Sequence, residues 1–300
     1  MAPCPALLLA SCCVVSSPEP DVNELRDQLR RAWSGAAPGW ERRQAKLREA
    51  TAPVSHWLVE AIRPQPGHRV LELAAGVGET GFLAAELIRP GGRLISSDQS
   101  QEMLDAARER AEELGLDNVE FRLIEGEWID LPLATLDAVL CRWGYMLMPD
   151  ADAALAETRR VLKPGGRVAL AVWESPEAVP WAALPARVMV SRGLADPPKP
   201  GAPGMFALGD RAVLEGKLEQ AGFTEIEIEP LDFEVRHPDL EDWFETQLDL
   251  SPFLRPTLAA LSEAEREEFR RAVLDEGRAY VTSSGEVVFP VRTLVAAAGA

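Results

Sequence analysis

Histidine, tyrosine and cysteine are scarce in this chain of 300 residues, with three, two and four copies. Three of the cysteines, Cys4, Cys12 and Cys13, fall in the opening segment, and Cys141 stands alone in the body. Neither a disulfide framework nor a zinc-ligand spacing can be drawn from that distribution, and a reducing cytoplasm suits it. Basic residues are also few: 31 Lys and Arg against 48 Asp and Glu leave a formal charge of −17. Such a surface opposes binding to nucleic acid, whose affinity comes from Lys and Arg displacing counterions, and points to a small or neutral partner. Long apolar runs are missing too. Ala6–Val15 resembles the apolar part of a secretory signal, but no Lys or Arg precedes it and it is too short to span a bilayer. Residues 1–20 therefore read as a disordered leader, and no membrane span is expected further on.

What is present is the balance of a folded protein: 47% hydrophobic and 26% charged residues, enough to build an ordinary core without staples. Apolar residues recur at helical spacing in residues 21–64 (Leu25, Leu29, Trp33, then Trp57, Leu58, Ile62), with breaks expected at Gly35 and Pro38–Gly39. From residue 65 to 175 short apolar runs alternate with helical patterns. Strands are predicted at Val70–Leu73, Leu94–Ser97, Val119–Ile124, Ala138–Cys141 and Val168–Trp173, and helices at Phe82–Ile88, Gln101–Leu114 and Ala151–Val161. That alternation predicts a parallel sheet with crossover helices. Prolines crowd residues 176–208, which read as a structured loop or lid. A helix is predicted at Asp210–Ala221, a strand at Phe223–Arg236 within 209–237, helical lid structure over 238–284 and a last strand within 285–300.

Val70 to Gly81 runs from an apolar strand through a glycine-rich turn into a helix. Gly76 and Gly78 allow close backbone approach, and the free N–H groups of the following helix favour an anion. Twenty positions past Gly78, Asp98 closes the second strand, where a carboxylate can accept both hydroxyls of a ribose. Together these features specify a nucleoside without saying which one, because Gly76, Gly78 and Gly81 also satisfy the dinucleotide pattern.

Glu72 through Gly78 resembles the first motif of class I S-adenosylmethionine-dependent methyltransferases, with Ala74 where many members have Gly. Ile95 through Ser100 resembles the second, Glu125 to Trp128 the segment after the third strand, and Leu136 to Trp143 with Val161 to Arg167 the fourth strand and the turn before the fifth. The chain is most similar to the superfamily of ubiquinone and menaquinone C-methyltransferases. The resemblance implies S-adenosylmethionine as cofactor. Its methionine end would lie on Glu72, Ala74, Gly76 and Gly78 and near the Cys141 carbonyl, its ribose on Asp98, and its adenine beside Gln99, Met103, Glu125 and Gly126. Glu125 departs from the usual Asp, and Trp128 is bulkier than the common residue.

The acceptor site is less legible. Tyr145, after the fourth strand, is a weak candidate for orienting a substrate, and His237, closing the sixth strand, is another; packing or capping explains each as well. His56 and His68 suit surface or turn positions. Trp33 and Trp40 suit either a cover over the donor or amphipathic packing. Glu263–Glu268 reads as a solvated helix face capped by Ser262. No catalytic base and no metal site are assigned.

The architecture expected is α/β: a Rossmann-like, doubly wound, seven-stranded, mainly parallel sheet with an antiparallel final strand, a helical N-terminal cap and lid insertions. The expected activity is methyl transfer to a small-molecule acceptor. Two alternatives stay open: an NAD(P)-dependent oxidoreductase using the same glycine turn, and a methyltransferase-like binding protein without turnover. Oligomeric state is left undetermined.

Overall fold

The computed structural model describes residues 22–199 and 201–300; the leader expected at residues 1–20 lies outside the described residues. Seven strands form one sheet: β1 (Arg69–Glu72), β2 (Arg93–Asp98), β3 (Val119–Leu123), β4 (Leu136–Arg142), β5 (Leu162–Trp173), β6 (Thr224–His237) and β7 (Val287–Gly299). Their order is β3-β2-β1-β4-β5-β7-β6. Pairs among β1 to β5 are parallel, and β7 is antiparallel to both β5 and β6. The chain order reverses between β1 and β4, so the crevice of a doubly wound sheet opens at their carboxyl ends.

Buried strands in such a sheet are apolar on both faces. In β4 nearly every residue is buried, and the edge strand β6 instead alternates apolar residues with Glu. One face of the sheet packs on α1 (Val22–Ala61), α2 (Thr80–Leu87) and α3 (Gln101–Glu113) through Leu58, Ala85 and Ala107. The other carries α4 (Ala151–Val161), α5 (Pro180–Ser191), α6 (Arg211–Gln220), α7 (Leu240–Leu250), α8 (Leu254–Ala259) and α9 (Glu263–Gly277).

Three stretches differ from the sequence reading. The breaks expected at Gly35 and Pro38–Gly39 do not occur, and α1 runs unbroken for 40 residues with Pro38 and Pro53 inside it. Proline removes one helical hydrogen bond and crowds one carbonyl. Packing on both sides of Pro38 offsets that loss: Ala36, Ala37 and Gly39 are buried, and Gly39 sits so close to the Asp249 backbone of α7 that a Cβ would come within 2.0 Å of its carbonyl oxygen.

The proline-rich stretch 176–208 is not all loop, because it contains α5. Pro180 occupies the first turn, where a missing N–H costs nothing. Pro185 cannot donate to the Trp181 carbonyl four residues back, and the Trp243 indole donates to that oxygen instead at 2.9 Å. Finally, the helical lid structure expected over 238–284 is divided into three helices, α7 to α9. Ser262 caps α9 as expected, in a reciprocal box with Glu265.

Candidate functional site

The turn after β1 holds Ala74 at φ +51°, Gly76 at +57° and Gly78 at +78°, all in the left-handed region. Ala74 therefore carries a Cβ where glycine is cheaper, which accounts for Gly being the commoner residue at this position. The three glycines of the motif do different work. A Cβ on Gly76 would meet no atom within 4 Å, so that stretch of backbone borders open space. A Cβ on Gly78 would strike the Phe82 ring at 2.4 Å, and one on Gly81 would strike Glu72 Oε2 at 2.3 Å. Gly78 and Gly81 thus serve the packing of α2, and Gly76 presents the cradle.

Asp98 reaches that cradle from the end of β2. The Gly76 N–H donates to its Oδ2 at 2.9 Å and the Ser100 N–H to its Oδ1 at 3.0 Å. Burial nevertheless pushes its carboxyl above the ordinary range, against the N–H groups of Ser100, Gly76 and Gln99. Each oxygen keeps acceptor capacity beyond its one backbone bond. Glu72 is 3% exposed. The Gly81 N–H donates to its Oε1 at 2.9 Å, and its Oε2 has no partner. Burial pushes this carboxyl up to about 7, although the Gly81 N–H and Arg142 oppose the shift.

α1 lies across this turn. Gln44 Nε2 donates to the Val77 carbonyl at 2.9 Å, and Ser34 Oγ donates to Ser100 Oγ at 3.0 Å. Met103 is buried with Val77 and Ala37, against Trp33 and Trp40. Glu125 also meets α1, through ion pairs with Arg30 at 3.1 Å and Arg26 at 3.4 Å. Gln99 is half-buried beside Asp98, with no side-chain hydrogen bond among the described residues. Gly126 is buried with Met148 Sδ where its Cβ would stand, and Trp128 is 74% exposed. Cys141 is fully buried, its thiol pushed up to about 12 by burial, so it is no nucleophile.

Neither weak acceptor candidate faces open space. Tyr145 is fully buried, and its hydroxyl lies 2.6 Å from the Thr158 hydroxyl in the core. His237 is 1% exposed. The Trp181 indole N–H donates to its Nε2 at 3.0 Å, so Nδ1 carries the proton and donates to Asp242 Oδ2 at 2.7 Å. Burial holds the imidazole down to about 4 despite Asp242. The cavity beside it, lined by Arg43, Lys46 and Trp181, measures about 10 Å³, barely a water.

The sequence reading passed over two groups, Glu79 and Arg142. Arg142 was legible as a charge closing the apolar run Ala138–Cys141, and Glu79 as an acid immediately after Gly78. The ion pairs that α1 brings to the site carry no local signal, because their partners stand about 95 positions away in sequence.

An open glycine cradle, a carboxylate at the end of β2 and an unpaired buried carboxylate oxygen fit a nucleoside that bears a positive charge. A family profile described as methyltransferase domain matches residues 64–189. Nocamycin O-methyltransferase of Saccharothrix syringae is 31% identical over 198 residues, covering 63% of this chain and 71% of that protein. The ubiquinone/menaquinone biosynthesis C-methyltransferase UbiE of Cellvibrio japonicus is 28% identical over 179 residues, 56% of this chain and 72% of that protein. Among solved structures, the YcgJ protein of Bacillus subtilis shares the fold, with a TM-score of 0.56 at 18% identity over 82% of this chain and 97% of that one. The chain belongs to the class I S-adenosylmethionine-dependent methyltransferases, which removes the oxidoreductase alternative. Its cofactor is S-adenosylmethionine.

Proposed function

We propose that this enzyme transfers the methyl group of S-adenosylmethionine to a small molecule by in-line displacement. The observation that carries the reading is the cradle itself: open space at Gly76, with Asp98 anchored to the Gly76 N–H and α1 roofed over both. When bound, the donor supplies an electrophilic methyl on a sulfonium. Asp98 would hold the ribose hydroxyls, and the backbone at Ala74 and Gly76 the amino-acid end. Glu125 would reach the adenine amine once its ion pairs to Arg26 and Arg30 yield. Displacement of this kind depends on alignment, so positioning can supply much of the rate without a dedicated base.

Three things support a small acceptor. The chain carries a charge of −17, helices cover the crevice, and the first relative above is named for an O-methylated small molecule. Among the described residues no helix is long and apolar enough to cross a membrane.

Calorimetric titration with S-adenosylmethionine, S-adenosylhomocysteine and NAD(H) tests the donor site. The sulfur nucleosides should bind and NAD(H) should not. Asp98→Ala should weaken S-adenosylhomocysteine about tenfold or more, the worth of a charge-assisted hydrogen bond. Unchanged affinity in that variant would remove Asp98 from the site.

A further inference from the structure

The sheet ends in two edge strands, and the sequence protects only one of them. β6 carries Glu225, Glu227, Glu229, Asp232 and Glu234, with Pro230 inside it. Charged side chains and proline are the usual means by which an edge strand avoids pairing with another chain. β3, at the opposite edge, reads Val-Glu-Phe-Arg-Leu, and neither proline nor bulge interrupts it. None of its residues is fully buried. Its two charges, Glu120 and Arg122, neutralise each other in an ion pair at 2.6 Å.

Alternation along β3 fixes which backbone groups face outward. The Leu94 N–H donates to the Asn118 carbonyl and the Ile124 N–H to the Asp98 carbonyl, both at 3.0 Å, so the even-numbered residues of this stretch bond to β2. The N–H and C=O groups of Val119, Phe121 and Leu123 therefore point to the open edge, where no strand meets them among the described residues. Their side chains lie on the face that carries α3, and Arg108 sits over the Phe121 ring at 5.2 Å. Leu123 is exposed, and so are Leu114, Trp128 and Leu133 in the segments that lead into and out of the strand.

Backbone groups so arranged accept a further strand, and the side chains select which one. Turned about a two-fold axis at Phe121 and laid antiparallel, β3 is its own complement. Phe121 then faces Phe121 of a second copy and Val119 faces Leu123, in the pairs that exchange both backbone bonds. Glu120 falls opposite Arg122, and Arg122 opposite Glu120, in the pairs whose side chains approach most closely. β6, acidic apart from Arg236, offers two copies mainly repulsion.

We infer that β3 is a self-association surface through which two copies of this chain join their sheets, antiparallel and centred on Phe121. A strand of five residues makes a small contact, so the dimer is reversible and dilution separates it.

Sedimentation velocity of the whole chain from about 1 to about 100 µM tests this, and the wild type should pass from monomer to dimer over that range. Glu120→Arg places a second guanidinium opposite Arg122, and Arg122→Glu places a second carboxylate opposite Glu120. Either change should weaken the dimer about tenfold or more. The two variants mixed in equal amounts should associate again, because each chain then meets the opposite charge. Loss of the ion pair within one strand cannot explain that recovery, since both chains in the mixture still lack it. A wild type that stays monomeric, a dimer indifferent to the single variants, or a mixture that does not recover overturns the assignment. Where a variant fails to melt cooperatively, amide exchange of the wild type decides. The amides of Val119, Phe121 and Leu123 should slow severalfold between about 1 and about 100 µM, and exchange independent of concentration overturns it.

Discussion

Buried titratable groups on either side of α1 give the protein two opposed responses to pH. His237 takes up its proton only near pH 4 when folded, against an ordinary value of 6.5. The unfolded chain binds that proton first, so the stability that depends on neutral His237 is complete above about pH 6.5 and is lost as pH falls towards 4. Glu72 works the other way. Its folded value of about 7 exceeds the ordinary 4.5, so stability is complete below 4.5 and declines as pH rises through 7. Each contribution is roughly 3 kcal/mol, so they nearly cancel in the wild type. Burial opposes it, but hydrogen bonds from Lys46 and His237 hold Asp242 down to about 2, so it stays ionised throughout this window. Urea unfolding from pH 4.5 to 7 should show the two slopes separately. His237→Gln should lose stability as pH rises, and Glu72→Gln should lose stability as pH falls. Parallel slopes in the two variants would refute the account.

Secondary structure tests how far local pattern governs each element. The strands β1, β2 and β4 and the helices α2, α3 and α4 arise where their apolar periodicity and flanking glycines put them, because those signals lie within the element itself. α1 and α5 do not follow local signals, since their prolines are tolerated through partners far off in sequence. The clearest measure is a pair of glycines in α1. Gly35 is exposed with nothing within 4 Å of a Cβ, so Gly35→Ala should stabilise by about 0.5–1 kcal/mol through helix propensity. At Gly39 the same change, four residues on, drives a methyl into the Asp249 backbone and should destabilise by ~2 kcal/mol. Thermal unfolding of both variants checks this. Equal shifts would mean that α1 does not dock on α7 as described.

At the scale of the whole molecule, α1 joins three parts that are distant in sequence: the glycine turn through Gln44, the β3 end through Arg26 and Arg30, and α7 through Arg42 and Arg43 on Asp249. Asp249 is buried and also accepts from Arg255 at 2.9 Å, which makes the α7 attachment the firmer one. The pairs to Glu125 are half-exposed and correspondingly weak. The first turns of α1 are therefore the part of the cover held most weakly. Hydrogen exchange should show amides at 22–34 slowing severalfold when S-adenosylhomocysteine binds, while those of α7 stay unchanged. Protection confined to the glycine turn would mean that α1 is not the cover.

The sequence alone determined the sheet, its doubly wound order and the donor the family uses. Strand periodicity, a glycine-rich turn and an acid ending the second strand are short-range features written into contiguous residues. Only the tertiary structure decided which glycine borders open space, that Tyr145 and His237 are buried, and that α1 forms one roof. Each of those depends on which side chains from separate elements fill or leave the same volume. Periodicity sets a residue's face, but packing against distant partners sets its neighbours, its protonation and its freedom to meet a ligand.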